Sequence, residues 1–232
     1  SSISPVIRFG NQYPTQSVIL PFTETKYQEA IEIYEKSKHE CYPWQKNLLK
    51  EVMAIDEDGL WTHQKFGYSI PRRNGKTEIV YILELWALEQ GLSILHTAHR
   101  ISTSHSSYEK LKKYLEDSGY VEGEDFKSIK AKGQERLELI ESGGVIQFRT
   151  RTSSGGLGEG FDILVIDEAQ EYTTEQESAL KYTVTDSDNP MTIMCGTPPT
   201  PVSSGTVFTN YRDNTLAGKA KYSGWAEWSV ED

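Results

Sequence analysis

Phe66-Gly67-Tyr68-Ser69-Ile70-Pro71-Arg72-Arg73-Asn74-Gly75-Lys76-Thr77 is an apolar run that stops at a proline and turns through a glycine into Glu78–Gln90, a stretch rich in Ile, Leu and Trp that ends at Gly91. The pattern predicts a strand over 66–70, a tight loop over 71–77 and a helix over 78–90. Free backbone N–H groups and the positive end of the dipole meet at a helix N-terminus, so a loop placed there suits an anion. Asn74, Gly75, Lys76 and Thr77 carry the chemistry for a phosphate. Gly75 lets the backbone come close, Lys76 reaches the β and γ oxygens, and the Thr77 hydroxyl suits Mg2+. The phosphate-loop pattern G-x-x-x-x-G-K-[ST] is incomplete, because Ile70 stands at its first glycine and Pro71-Arg72-Arg73 fills the loop. Arg72 or Arg73 can set a guanidinium in cis against charge developing in phosphoryl transfer. A salt bridge to a neighbouring carboxylate is the alternative.

About 90 residues downstream, Ile163-Leu164-Val165-Ile166-Asp167-Glu168 is a second apolar run, tipped by two acids. At the end of a buried strand, Asp167 is placed to hold a magnesium shell and Glu168 to orient or deprotonate a water. Met191–Cys195 is a similar run ending in Gly196-Thr197-Pro198-Pro199, where the Thr197 hydroxyl can contact a γ-phosphate or the attacking water. Upstream, Tyr42-Pro43-Trp44-Gln45 offers an amide able to pair with both edges of adenine.

The remaining segments supply the frame. Pro5, Pro14 and Pro21 make 1–24 an extended arm, and helices are expected from Thr25 to about Lys38 and from Pro43 to about Ile55. Leu92–Ala98 reads as a strand, 103–116 as a polar helix, and 137–150 as a β-hairpin followed by the loop 152–160. Strands alternating with helices, with polar residues where strands end, predict a doubly wound α/β sheet whose ligand lies at its carboxyl edge.

The 232 residues favour one large domain, 25–232, behind the arm. With 24 basic and 34 acidic residues the net charge is −10, which argues against a nucleic-acid coat held by bulk charge. A local groove remains open: Lys110, Lys112, Lys113, Lys127, Lys130, Lys132, Arg136 and Arg149 gather in one region, although interleaved acids fit a solvated mixed face equally well. Cys41 and Cys195 fit neither a disulfide framework nor a zinc knuckle, and His96, His99 and His105 read as capping or surface residues rather than zinc ligands. Nothing resembles a membrane span or a signal peptide.

PRRNGKT, LVIDEAQ and CGTPPT, in this order and with the upstream Trp44-Gln45, resemble the ATPase domain of the large terminase subunit of tailed bacteriophages over roughly residues 40–215. The resemblance implies a RecA/ASCE-like P-loop NTPase fold, with helices on both faces of a mainly parallel sheet, and ATP and Mg2+ as cofactors. It assigns Lys76 and Thr77 as the Walker A pair, with Arg72 or Arg73 as its arginine. Asp167 becomes the Walker B magnesium acid, Glu168 the catalytic carboxylate, Gln45 the adenine reader and Gly196-Thr197 the motif coupling hydrolysis to DNA movement. It further implies double-stranded DNA, a portal protein and a small terminase subunit as partners, a ring of subunits in the host bacterial cytoplasm, and an isolated domain that can be monomeric. Arg100, Arg149 and Arg151 are candidates for an arginine given to a neighbour. The family's nuclease domain is not expected within this chain. A superfamily 2 helicase-like translocase, sharing the DEAQ pattern, and a nucleotide-binding structural subunit with little turnover are the competing readings.

Overall fold

The computed structural model describes residues 12–72, 75–131, 133–151, 157–203 and 205–229. Its nine-stranded sheet contains β1 (Gln16–Val18), β4 (Lys65–Ser69), β5 (Ser93–Ala98), β6 (Phe126–Ile129), β7 (Arg136–Leu139), β8 (Val145–Thr150), β9 (Ile163–Ile166), β10 (Met191–Gly196) and β11 (Ser223–Glu227), in the order β1-β11-β4-β10-β9-β5-β8-β7-β6. β2 (Glu24–Thr25) and β3 (Ala54–Ile55) form a small separate pair. From β11 to β8 every pairing is parallel, while β1 at one edge and the β6–β7 pair at the other are antiparallel. The β7–β8 hairpin matches the sequence expectation, with Leu137 opposite Ile146.

The helices are α1 (Tyr27–Glu35), α2 (Pro43–Val52), α3 (Glu78–Glu89), α4 (Ile101–Asp117), α5 (Thr174–Ala179) and α6 (Val207–Leu216). Each expected helix is present, with ends within three residues of the sequence reading. The arm is corrected in part: its residues 1–11 lie outside the described residues, but Gln16–Val18 is an edge strand paired with Trp225–Glu227, so this stretch belongs to the sheet.

The parallel strands are buried on both faces, and alternation assigns each residue to one side. Phe66, Tyr68, Ile94, Ile163, Val165, Ile193 and Cys195 pack in a core with α1–α4. Leu95, Leu164, Ile166, Met194 and Trp225 join a second, smaller core with Val207 and Phe208 of α6. The sheet therefore has helices on both faces, as the doubly wound reading requires.

Candidate active site

Arg72, Lys76 and Thr77, between β4 and α3, line one wall of a cleft at the carboxyl edge of the sheet. Gly75 sits at φ 96°, and a Cβ there would come within 2.9 Å of Gln45 Nε2, so both the backbone conformation and the close approach require glycine. Tyr68, buried on β4, donates its hydroxyl to the Lys76 carbonyl at 2.9 Å. Thr77 is the N-cap of α3, yet its side chain makes no capping bond, which leaves the hydroxyl at the mouth of the cleft. Arg72 is exposed and lines the same cleft. Arg73 and Asn74 lie outside the described residues.

Gln45 links α2 to the loop that precedes α3. Its Oε1 accepts from the Tyr42 N–H at 2.9 Å, closing the cap of α2, and its Nε2 donates to the Gly75 carbonyl at 3.2 Å. The side chain is buried, and one bond at each end of the amide fastens α2 to the loop at Gly75.

The opposite wall is the tip of β9. Register places Cys195 beside Tyr68 and Met194 beside Ile166, so Tyr68, Cys195 and Asp167 fall in neighbouring positions at the strand ends. Asp167 is only 3% exposed. Its Oδ1 accepts from the Glu168 N–H at 2.9 Å and the Cys195 thiol at 3.3 Å, and its Oδ2 lies 3.4 Å from His96 Nε2. Burial alone would raise the Asp167 carboxyl, but the hydrogen bond and charge of His96 hold it below its ordinary range. Burial likewise opposes a charge on His96, yet Glu84 and Asp167 push its imidazole up to about 10. His96 is thus a fully buried member of the core, which corrects its reading as a capping or surface residue.

Glu168 adopts left-handed backbone angles, φ 52° and ψ 47°, a sparsely populated region for a residue with a side chain. Arg151 braces that strain from behind. Its Nη1 donates to the Asp167 carbonyl at 2.8 Å and Thr97 Oγ1 at 3.2 Å, and its Nη2 donates to the Glu168 carbonyl at 3.1 Å. The guanidinium also lies over the Tyr172 ring. In front, Glu168 Oε1 accepts from the His99 and Arg100 backbone N–H groups, each at 3.0 Å, while Oε2 pairs with Arg100 Nε at 2.9 Å. The sequence reading missed this role of Arg151, because a lone arginine 16 residues before Asp167 carries no motif.

Thr197 completes the cleft. Its N–H donates to Gln170 Oε1 at 3.2 Å, and a Cβ on Gly196 would approach that same oxygen to 2.7 Å. The β10 tip and the DEAQ turn are therefore in direct contact.

Lys76, Thr77, Arg100, Asp167, Glu168 and Thr197 together line a cleft of about 360 Å³, with Ser102, Thr103 and Ser106 at the start of α4 forming its rim. That size falls within the range of small-ligand sites. Thr77 and Asp167 supply only oxygen donors, and among the described residues no three His, Cys, Asp or Glu side chains cluster as a metal cage. Such a donor set suits Mg2+, which is commonly held by one or two protein oxygens together with substrate phosphates.

Other candidate residues are distributed differently. Arg151 is buried and committed to carbonyls, and half-buried Arg149 bonds to the Glu135 and Phe148 carbonyls and to Gln147. The Arg100 side chain is 61% exposed but already pairs with Glu168 of its own chain. The basic region is a mixed face, in which Lys110, Lys112, Lys113, Lys130 and Arg136 pair with Glu78, Glu122, Asp117, Glu109 and Glu138. Lys132 lies outside the described residues.

No protein-family model and no curated protein matches this chain in sequence. Solved structures do match in fold. The large terminase of bacteriophage HK97 is 14% identical, with a TM-score of 0.70, over 88% of this chain and 44% of that one. The large terminase ATPase domain of Thermus phage P74-26 is also 14% identical, with a TM-score of 0.58, over 78% of this chain and 72% of that one. The yeast DEAD-box splicing factor Prp28 is 14% identical, with a TM-score of 0.55, over 98% of this chain and 57% of that one. The chain spans less than half the length of the HK97 protein. At these identities the likeness is one of fold alone: the RecA-like P-loop fold, a mainly parallel sheet with helices on both faces.

Proposed function

We propose that this chain is the ATP-hydrolysing motor domain of a phage large terminase, which drives double-stranded DNA into a procapsid. The observation that carries the reading is the shared cleft: Lys76 and Thr77 at the start of α3 face Asp167 and Glu168 at the end of β9. Motifs some 90 residues apart in sequence need a common cleft to act on one triphosphate.

In this reading Lys76 holds the β- and γ-phosphate oxygens, aided by the N–H groups at the start of α3. Thr77 and Asp167 would hold Mg2+, whose charge offsets that developing on the transferred phosphoryl group. Glu168 orients and deprotonates the attacking water. To do so it exchanges the Arg100 guanidinium on Oε2 for that water, while Arg151 keeps the backbone of the Asp167–Glu168 pair in place. Arg72 or Arg73 screens the γ-phosphate. Gln170, bonded to Thr197, carries the change in the site to the β10 tip. Gln45 shapes the phosphate loop through its bonds to Tyr42 and Gly75, and its second N–H and second oxygen lone pair are the groups with which it would contact adenine.

The proposal extends to a ring of subunits on a portal protein, working with a small terminase subunit in the host bacterial cytoplasm. These rest on the motif resemblance and on the fold shared with phage terminases. The likeness to Prp28 favours a second reading, a helicase-like translocase. One experiment separates them. The chain is assayed for Mg2+-dependent ATP hydrolysis, then for displacement of a third strand from duplex DNA and for unwinding of a forked duplex. Hydrolysis with triplex displacement supports the motor, hydrolysis with unwinding supports the helicase, and no hydrolysis rejects both.

A further inference from the structure

α3 is buried almost all round, from Ile79 to Leu88, and Glu84 stands in the middle of that apolar surface with no exposure at all. A carboxylate in such a place is costly, because desolvating an ion takes several kcal/mol even after relaxation, roughly what a well-packed apolar side chain avoids. Only part of Glu84 is compensated. Its Oε2 lies 2.5 Å from His96 Nδ1, while its Oε1 is buried without a hydrogen-bond partner among the described residues. From His96 the chain continues through Nε2 to Asp167 Oδ2 at 3.4 Å. The imidazole is wedged against Phe148, whose ring centre lies 5.3 Å away, and Tyr108 packs edge-on against Phe148. The motifs read from the sequence include neither Glu84 nor His96.

The proton positions follow from the chemistry of the chain. Facing a carboxylate at Asp167, Nε2 must carry a hydrogen. Whether Glu84 is ionised and accepts from Nδ1, or is protonated and donates to it, that hydrogen remains on Nε2. A carboxylate offers about four acceptor positions, two on each oxygen. Three on Asp167 are filled from within the protein: Glu168 N–H and the Cys195 thiol on Oδ1, and His96 on Oδ2.

We infer that Glu84 and His96 are positioning residues for Asp167: through a buried hydrogen-bond chain anchored in α3, they fix its carboxylate so that a single acceptor position on Oδ2 is left for the magnesium shell. The inference rests on the proposed reading of the cleft. It also links the two walls, since Glu84 lies two helical turns beyond Thr77 on the same helix. A shift of α3 at the phosphate loop is thereby felt at Asp167 through rigid, buried contacts.

The test compares His96→Leu, Glu84→Gln and the double variant Glu84→Leu/His96→Leu with the native chain. Outer partners of metal-holding groups typically change metal affinity by 10- to 100-fold, so the half-saturating Mg2+ concentration for ATP turnover is expected to rise roughly tenfold in His96→Leu and less in Glu84→Gln. Affinity for a fluorescent ATP analogue in EDTA is expected to stay within about twofold of native, because Lys76 and the α3 N-terminus carry that binding. The double variant removes the buried Glu84–His96 pair but leaves the buried Asp167 carboxylate without its His96 partner, so it is expected to melt below the native temperature and to need more Mg2+. In the native chain, the proton signal of His96 Nε2–H is expected to move when Mg2+ joins the nucleotide complex and to stay put with nucleotide alone.

A double variant that melts lower and keeps the native Mg2+ requirement assigns the pair a purely structural role and overturns the inference. An Nε2–H signal that ignores Mg2+ does the same, and that measurement needs no variant to fold. If the native chain binds no ATP, the reading of the cleft itself fails and this inference falls with it. If native turnover is Mg2+-dependent and the variants share its Mg2+ curve, only this inference falls.

Discussion

On one side of the cleft the Lys76 ammonium and the Thr77 hydroxyl have no hydrogen-bond partner among the described residues, whereas across from them the carboxylates of Asp167 and Glu168 each accept three. This wall, the proposed phosphate wall, is thus shaped by backbone, by Gly75 and by the Gln45 clasp, with Lys76 and Thr77 unbonded among the described residues. The acid wall is built from β5, β8, β9 and β10 and tied at every oxygen. Groups that must act on developing charge gain from being fixed in advance, because no reorganisation is then needed during the reaction. Groups that grip a mobile polyanion can be completed by the ligand itself. The contrast predicts that damage to the acid wall shows in turnover and folding, while damage to the phosphate wall shows in binding.

The largest effect is expected for Glu168→Gln, which keeps the shape of the site and removes the carboxylate proposed as its base. Steady-state ATP turnover should fall about 10²- to 10⁴-fold with nucleotide affinity nearly unchanged. Retained turnover would show that another group activates the water. Lys76→Ala should reduce turnover about 10²- to 10³-fold, chiefly by weakening nucleotide binding. Its urea midpoint should match the native one, since Lys76 holds nothing in the folded chain; a marked loss of stability would erase the contrast between the walls.

Arg151→Met tests the brace. It leaves the Asp167 carbonyl without the Arg151 donor and the Glu168 carbonyl with only the Glu171 N–H, and a loss of about 2 kcal/mol in urea unfolding is expected, together with slower turnover. The smallest effect belongs to Gln45→Ala. If the amide shapes the loop, affinities for ATP and GTP should fall together by a few-fold, of the order expected for one or two lost hydrogen bonds. A loss confined to ATP would show that Gln45 reads the base.

Much of this molecule is visible in its local patterns. The runs ending at Ile70, Ile166 and Cys195 are apolar because parallel strands are covered on both faces, and a chain can report that without knowing its neighbours. Other parts are silent for equally physical reasons. β11, Ser-Gly-Trp-Ala-Glu, shows no alternation because it lies between β1 and β4 with both faces covered, and its glycine fits against Phe66. α6 buries little more than Val207, Phe208 and Thr215, too narrow a stripe to stand out from a polar stretch. β6 is found only through its pairing with β7.

The candidate site divides along the same line. Lys76, Thr77, Asp167 and Glu168 are legible because each sits in a short motif whose spacing reflects a single loop or strand end. Arg100, Arg151, His96 and Glu84 are not, because their partners lie 12 to 71 residues away and are reached only across strands or between a helix and the sheet. The sequence by itself determined which residues can grip a phosphate or a metal and where strands and helices alternate, since both follow from local chemistry and periodicity. Only the tertiary structure decided that Gln45 clasps the phosphate loop, that Arg100 faces Glu168, and that a buried carboxylate and imidazole stand behind Asp167. Those pairings depend on strand register and helix placement, which are set by the packing of the whole core and by no one segment of the chain.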